Sequence, residues 1–323
     1  MSATARAFWV TQPGQGRIES ARLNPAGADE VMVKTRFSAV SRGTEALVFH
    51  GRVPASQAQR MRAPFQEGEF PGPVKYGYAS VGEVRDGAPE LLGQTVFCLY
   101  PHQDQYIVPA SAVVPVPDTV PAARAVLAAN TETALNVIWD AAVSLGDRVC
   151  IVGGGVVGCL ITWLAARIPG TTVTLVDIET DRARVAELMG AEFRTPAQAP
   201  AEQDVVIHTS ASEHGLATAL GCAGNEARVV EASWYGERRP QVPLGEAFHS
   251  RRLQLRSSQV GQLPPDKRPR WDYRRRMNQA LALLVDARVD ALFSGECAFD
   301  QLPAVLPEVL ADDSRALCQR VVY

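Results

Sequence analysis

The segment Val149-Cys150-Ile151-Val152-Gly153-Gly154-Gly155-Val156-Val157-Gly158 decides the fold. Its four leading apolar residues read as a buried parallel strand, and the helix-like run Cys159 to Arg167 follows the glycines. Gly153, Gly155 and Gly158 stand in G-x-G-x-x-G spacing. The first glycine of such a set permits a tight strand-to-helix turn. The second lets backbone approach a pyrophosphate, and the third lets the helix lie close on the strand. Val156 and Val157, between the glycines, are counted with them as cofactor-binding residues, and the first N–H groups and partial positive charge of the following helix would face the phosphates.

A glycine-rich turn alone is a weak signal, and its context strengthens it. The next strand, Thr172 to Val176, ends at Asp177, about twenty residues beyond the last glycine, as the dinucleotide fingerprint requires. An acidic residue there accepts hydrogen bonds from a ribose and repels a 2′-phosphate. NAD(H) is therefore the expected cofactor. Arg182 and Arg184 leave NADP(H) open, although they fit equally on the outer face of the next helix.

Downstream, helix and strand alternate. Thr180 to Gly190 reads as a helix with a glycine cap, and Asp204 to His208 as a strand. Gly215 to Leu220 reads as a helix, and Ala227 to Glu231 and Leu253 to Ser258 as strands. Such alternation means a parallel, doubly wound sheet. Upstream, the texture is all β. Strands are expected at Ala5–Val10, Arg17–Arg22, Glu30–Arg36, Tyr78–Val84, Gln94–Tyr100, Asp104–Val108 and Ala112–Val116. Residues 51–73 read as a long loop and Thr44 as the start of a short helix. Helices at Ala122–Ala129 and Thr131–Val143 join the two parts. A helix at Trp271–Leu284, another at Phe299–Ala311 and a last strand at Cys318–Tyr323 close the chain. The expected division is 1–120 for a substrate domain, completed by about 290–323, and 121–289 for the dinucleotide domain.

The bulk properties narrow the class. The 323 residues are 46% hydrophobic and 21% charged, with net charge −3, values ordinary for a globular chain of about two domains. This balance argues against nucleic acid as a partner. No apolar run is long enough to span a bilayer. The start, Met1 to Arg6, lacks a leader's basic-then-apolar layout, so a cytoplasmic location is expected. Six cysteines are scattered without C-x-x-C spacing and read as small buried hydrophobes.

A β-rich first part, a central Rossmann unit and a returning C-terminal strand resemble the medium-chain dehydrogenase/reductase superfamily along essentially the whole chain. The landmarks are the Ser38–Glu45 turn, Gly77-Tyr78-Ala79-Ser80-Val81-Gly82, the Gly153–Gly158 fingerprint with Asp177, and the segments Leu253–Gly261 and Leu302–Tyr323. The resemblance implies an α/β fold: a GroES-like N-terminal domain plus a Rossmann doubly wound parallel sheet. It also implies a small-molecule substrate and a homodimer.

Zinc members of that superfamily carry a cysteine where this chain has Ser41 and Gly-His-Glu where it has Gly77-Tyr78-Ala79. Their third ligand precedes the Rossmann unit, and no cysteine lies between Cys98 and Cys150 here. The lobe holding a structural zinc is also missing after Gly82. Zinc wants about four ligands with thiolate or imidazole favoured, so no catalytic and no structural zinc is expected. Cys98-x-x-x-His102 has ligand-like spacing but only two ligands, and nothing joins His50 and Glu45 into a site. Ser41-Arg42-Gly43-Thr44-Glu45 and Gly51-Arg52-Val53-Pro54 look most like bacteriochlorophyllide dehydrogenase, which oxidises a hydroxyethyl side chain.

Without zinc to acidify an alcohol, a side chain must hold the oxygen and exchange its proton. Tyr78 occupies the place of the missing histidine and is the first candidate. Ser41 is a second donor, Glu45 an acidic partner, and Glu132 lies near the expected third-ligand position. Each has a plainer alternative: Tyr78 as a packed aromatic, Ser41 as a turn former, Glu45 as a charge on the first turn of its helix. By the same resemblance Arg42 meets the pyrophosphate. Ser233, Ser258 and Gln259 lie where the nicotinamide is cradled. His208, ending its strand, points toward the same crevice, with a structural histidine as the alternative. The run Lys267 to Arg276 would bind an anion or form a solvated face. The expected activity is NAD(H)-dependent, zinc-independent interconversion of a secondary alcohol and a ketone. The alternatives are a bacteriochlorophyllide dehydrogenase-like enzyme, a zinc-less enoyl or quinone reductase, and an NAD(H)-binding protein without turnover.

Overall fold

The computed structural model describes residues 3–323, so the leader reading at Met1 and Ser2 lies outside the described residues. The chain forms two compact units. One comprises 1–129, 277–287 and 293–323, and the other comprises 130–276 and 288–292. The division thus falls at 129/130, not at 120/121, and 277–287 join the first unit.

The first unit begins with β1 (Ala3–Gln12), β2 (Gln15–Leu23) and β3 (Glu30–Ser41), followed by α1 (Arg42–Phe49). Then come β4 (Glu67–Gly68), β5 (Val74–Lys75), β6 (Ser80–Gly87), β7 (Thr95–Cys98), β8 (Gln105–Pro109) and β9 (Val113–Pro115). One sheet runs β2-β1-β5-β4. β3 is the spine of the other, pairing with β6 and β8. Its alternating pattern buries Val31 and Val33 completely, in a core cluster with Val84, Val96, Cys98 and Tyr106.

α2 (Ala122–Ala125) is a single turn and α3 (Ala128–Ala141) starts earlier than expected. The second unit then follows the predicted alternation. It contains β10 (Arg148–Val152), α4 (Val156–Ala165), β11 (Thr172–Val176), α5 (Arg182–Met189) and β12 (Glu192–Arg194). β13 (Gln203–His208), α6 (Glu213–Cys222), β14 (Ala223–Glu231) and β15 (Gln254–Ser257) complete the sheet. All its pairings are parallel, in the order β12-β11-β10-β13-β14-β15. Counted within the unit this is 3-2-1-4-5-6, the Rossmann order, whose reversal between β10 and β13 opens the ligand crevice at the strands' carboxyl ends. Continuous apolar strands fit burial on both faces: Val149, Cys150, Ile151, Val206 and Ile207 are fully buried. Gly190 caps α5 in the left-handed conformation, φ 92°.

α7 (Tyr273–Leu283) leads to β16 (Phe293–Ala298), which the sequence reading missed, then α8 (Leu302–Val309) and β17 (Cys318–Val322). β17 pairs antiparallel with β3, setting Cys318 opposite Ser41 and Val321 opposite Ser38. The Tyr323 N–H then donates to the Arg36 carbonyl, fixing the last residue beside β3. No described helix is long and apolar enough to cross a membrane.

Candidate active site and dinucleotide site

In the first unit, the site starts at the junction of β3 and α1. Ser41 is the N-cap of α1 in extended conformation, and its own side chain makes no cap bond. Glu45, in the first turn, holds the N-cap residue itself, its Oε1 accepting the Ser41 N–H at 2.9 Å. A carboxylate is favoured there by the helix end. Its second oxygen lies 3.0 Å from His102 Nε2. His102 Nδ1 meets Ser38 Oγ at 2.8 Å, and Ser38 Oγ meets the Tyr323 hydroxyl at 3.0 Å. Glu45, His102 and Ser38 are buried at 5%, 2% and 0% exposure, so the chain of hydrogen bonds lies out of water.

Gly77 makes the close approach possible. Its φ is +135°, and an added Cβ would lie 3.0 Å from His102 N and 3.1 Å from His102 Cδ2. Tyr78, which follows it, is half-buried and hydrogen-bonds the Ser41 side chain. Burial pushes the Tyr78 phenol well above its usual value, the Glu45 charge adds to this, and the Ser41 bond only partly offsets it. Tyr78 is therefore a protonated donor at neutral pH, paired with a hydroxyl that can donate or accept. The structure brings together Ser41, Tyr78 and Glu45. It adds His102, Ser38 and Tyr323, of which the sequence reading had considered only His102, and only as a metal ligand.

Arg42, expected at a pyrophosphate, donates from Nη2 to the Ala311 carbonyl at 2.7 Å. Glu132 needs correction. It is a buried carboxylate of the second unit, 3.0 Å from Arg276 Nε, and so is held in an ion pair within that unit. Burial raises its pKa and Arg276 partly counters that. Arg276 is 2% exposed and also bonds Asn136 Oδ1 and the Val260 carbonyl, so the last member of the basic run is an internal tie. Lys267 and Arg275 of that run lie over the Trp139 and Trp271 rings.

In the second unit, Gly153 and Gly158 have the turn and close-packing geometry that their spacing implied. Gly153 has φ +116°, and an added Cβ would meet Ser210 N and Thr209 Oγ1, each at 2.7 Å. On Gly158 a Cβ would fall 1.9 Å from the Gly153 carbonyl oxygen. On Gly155 it would meet nothing within 4 Å, which leaves open space over the start of α4 at Val156 and Val157. A nucleotide pyrophosphate fits that opening. Asp177 closes over the loop, its carboxylate accepting the Gly154 N–H and, at 2.8 Å, the Glu179 N–H. A carboxylate offers about four acceptor positions, so capacity remains for ribose hydroxyls.

His208 also needs correction. It is fully buried and offers no free nitrogen: Nδ1 lies 2.7 Å from Glu231 Oε2 and Nε2 2.7 Å from Ser210 Oγ. Burial would raise the Glu231 pKa, but His208 and Ser233 outweigh it and hold the carboxyl below its ordinary value. Ser233 Oγ accepts the Ala211 N–H at 3.0 Å, and Ser258 Oγ donates to Asp140 at 2.7 Å. Gln259 lies against Gly261. Ser233 thus shapes the ends of the central strands, whereas Ser258 is tied to α3.

All six cysteines are buried and unpaired. Among the described residues, no group of three or more His, Cys, Asp or Glu side chains is placed to hold a metal ion.

No family model matches the chain, and no curated protein matches it in sequence. Solved structures do match in fold. L-idonate 5-dehydrogenase from Escherichia coli K-12 superposes with TM-score 0.80 at 16% identity, covering 100% of this chain and 99% of that one. A protein described as a zinc-binding dehydrogenase from Sinorhizobium meliloti 1021, bound to NADP, gives 0.79 at 18% identity, covering 99% and 100%. A short chain alcohol dehydrogenase from Escherichia coli CFT073, complexed with NADH, gives 0.77 at 16% identity, covering 99% and 100%. The chain shares its fold with these structures: a GroES-like unit and a Rossmann unit.

Proposed function

We propose that this chain is an NAD(H)-dependent oxidoreductase that interconverts a secondary alcohol and a ketone without zinc. The observation that carries the reading is the Gly153–Gly158 loop: closed at Gly158, open at Gly155, and covered by the Asp177 carboxylate. Asp177 supports NAD(H) over NADP(H), because a 2′-phosphate beside it would add like charge. Neighbours of the same fold were solved with NADP in one case and NADH in another, so fold alone does not choose between them. Bound on that loop, the cofactor supplies the hydride acceptor or donor.

The first unit supplies the oxygen chemistry. In ketone reduction the Tyr78 phenol donates its proton to the carbonyl oxygen as hydride reaches the carbon. Ser41 holds the phenol and gives the oxygen a second hydrogen-bonding group. In the reverse direction the same pair receives the alcohol proton. The donor set supports zinc independence: Ser41 and Ala79 stand at ligand positions, and His102 and Glu45 are bonded to each other. The test is NADH oxidation by chelator-treated, metal-analysed protein against a panel of ketones, followed by NADH absorbance. Turnover with substoichiometric zinc supports the reading. Turnover only after zinc addition refutes the metal-free mechanism, and no turnover with any carbonyl leaves a nucleotide-binding protein.

A further inference from the structure

We propose that Glu45, His102, Ser38 and Tyr323 form a buried proton relay that sets the charge of Glu45 beside the Tyr78–Ser41 oxygen site, an inference that rests on the oxidoreductase reading. With Glu45 ionised and His102 neutral, the hydrogen bonds permit one consistent assignment. An ionised carboxylate only accepts, so the Glu45 contact requires the proton of a neutral His102 on Nε2. Nδ1 then accepts from the Ser38 hydroxyl, which leaves the Ser38 oxygen to accept from the Tyr323 phenol. A proton entering at Tyr323 moves every hydrogen one step. Tyr323 gives its proton to Ser38, Ser38 gives to Nδ1, and Nε2 gives to Glu45. All groups regain ordinary valence, His102 has changed tautomer, and Glu45 is neutral. The reverse shift discharges Glu45.

Two further observations connect this chain to the oxygen site. Glu45 holds the Ser41 amide while Tyr78 holds the Ser41 side chain, so both groups meet at one residue. The Glu45 charge also reaches its neighbours: after burial itself, it helps raise the acid groups of Tyr76, Tyr78, Cys318 and Tyr323. Asp104 acts on Tyr323 in the same sense at the far end. His102 is the one ionic partner of Glu45 among the described residues. Neutralising Glu45 therefore changes the acidity of the donor on substrate, which a purely structural hydrogen bond would not do. Glu45, His102, Ser38 and Tyr323 act through Tyr78 and are positioning residues.

The experiment combines histidine nitrogen NMR with kinetics on the full chain. In 15N-histidine-labelled protein, the signal missing in His102→Gln should show a neutral ring protonated at Nε2 at neutral pH. In ketone reduction, Ser38→Ala and Tyr323→Phe should each lower kcat about tenfold or more and shift its pH profile. The KM for NADH should stay unchanged, and Ser38→Thr should restore the rate. Unchanged kcat and pH profile in both breaking variants would overturn the relay while leaving the oxidoreductase reading intact. If the parent protein transfers no hydride, that reading fails, and the NMR result still decides the relay: an imidazolium that stays doubly protonated through the neutral range overturns it.

Discussion

Two glycines three residues apart should respond to the same substitution in opposite ways. In Gly158→Ala the new methyl would stand 1.9 Å from the Gly153 carbonyl oxygen and 2.7 Å from Thr209 Oγ1. A relaxed carbon–oxygen contact is about 3.3 Å or longer, so α4 must lift by more than ~1 Å from the end of β10. The Gly153 carbonyl is backbone at the end of β10 and cannot rotate away. Overpacking of this kind costs about 1–3 kcal/mol, and it also displaces the N–H groups meant for phosphate. In Gly155→Ala the methyl meets nothing within 4 Å, and φ −73° suits any residue. Alanine is a poorer N-cap, so stability should fall by no more than ~1 kcal/mol. The methyl nevertheless fills the space kept for pyrophosphate, and NADH affinity should drop at least tenfold, which is about 1.4 kcal/mol. Urea denaturation and NADH fluorescence titration separate the two effects. Parent-like NADH binding by Gly155→Ala would refute the placement of the pyrophosphate. A fully stable, fully binding Gly158→Ala would refute the packing argument.

Tyr78→Phe should lower kcat by about 10²–10⁴ with little change in NADH affinity; an unchanged kcat rules Tyr78 out as donor. Asp177→Ala should weaken NADH and strengthen NADPH binding relative to the parent, and a constant ratio of their dissociation constants would contradict the ribose role. Arg276→Met strands the buried Glu132 carboxylate and should cost about 3–5 kcal/mol in denaturation. The double variant Glu132→Leu/Arg276→Met should recover much of that loss, whereas equal loss in both would contradict the ion-pair account. Glu231 has a folded pKa below its ordinary 4.5. Its stabilisation is therefore present above that value and lost as pH falls through the folded pKa. Glu231→Gln should flatten the acid limb of stability against pH, and parallel curves would show that the His208 pair carries no such linkage.

The Rossmann unit was legible because its signals are local. Gly153, Gly155 and Gly158 each report a backbone requirement at their own position, and the apolar runs of β10 and β13 announce strands buried on both faces. β16 was missed because Phe293-Ser-Gly-Glu-Cys-Ala298 carries little apolar alternation, and its strand character comes from pairing with β17. The oxygen site was half legible. Ser41 and Glu45 are four residues apart and share one helix turn, whereas Glu45 and His102 are 57 residues apart and meet only because β3 and the segment after β7 pack together. Tyr323 reaches Ser38 through the β17–β3 register, a long-range pairing that one sequence does not encode locally. Glu132 and His208 show the opposite case. Their charge and place in the chain suggested chemistry, but Arg276 and Glu231, both distant in sequence, satisfy them internally.

The most direct measurement is a titration of purified, metal-analysed protein with NADH and with NADPH. The expected result is saturable NADH binding, NADPH binding at least about tenfold weaker, a gap of ~1.4 kcal/mol, and no stoichiometric zinc. Stoichiometric zinc, NADPH preference, or binding of neither nucleotide would contradict it.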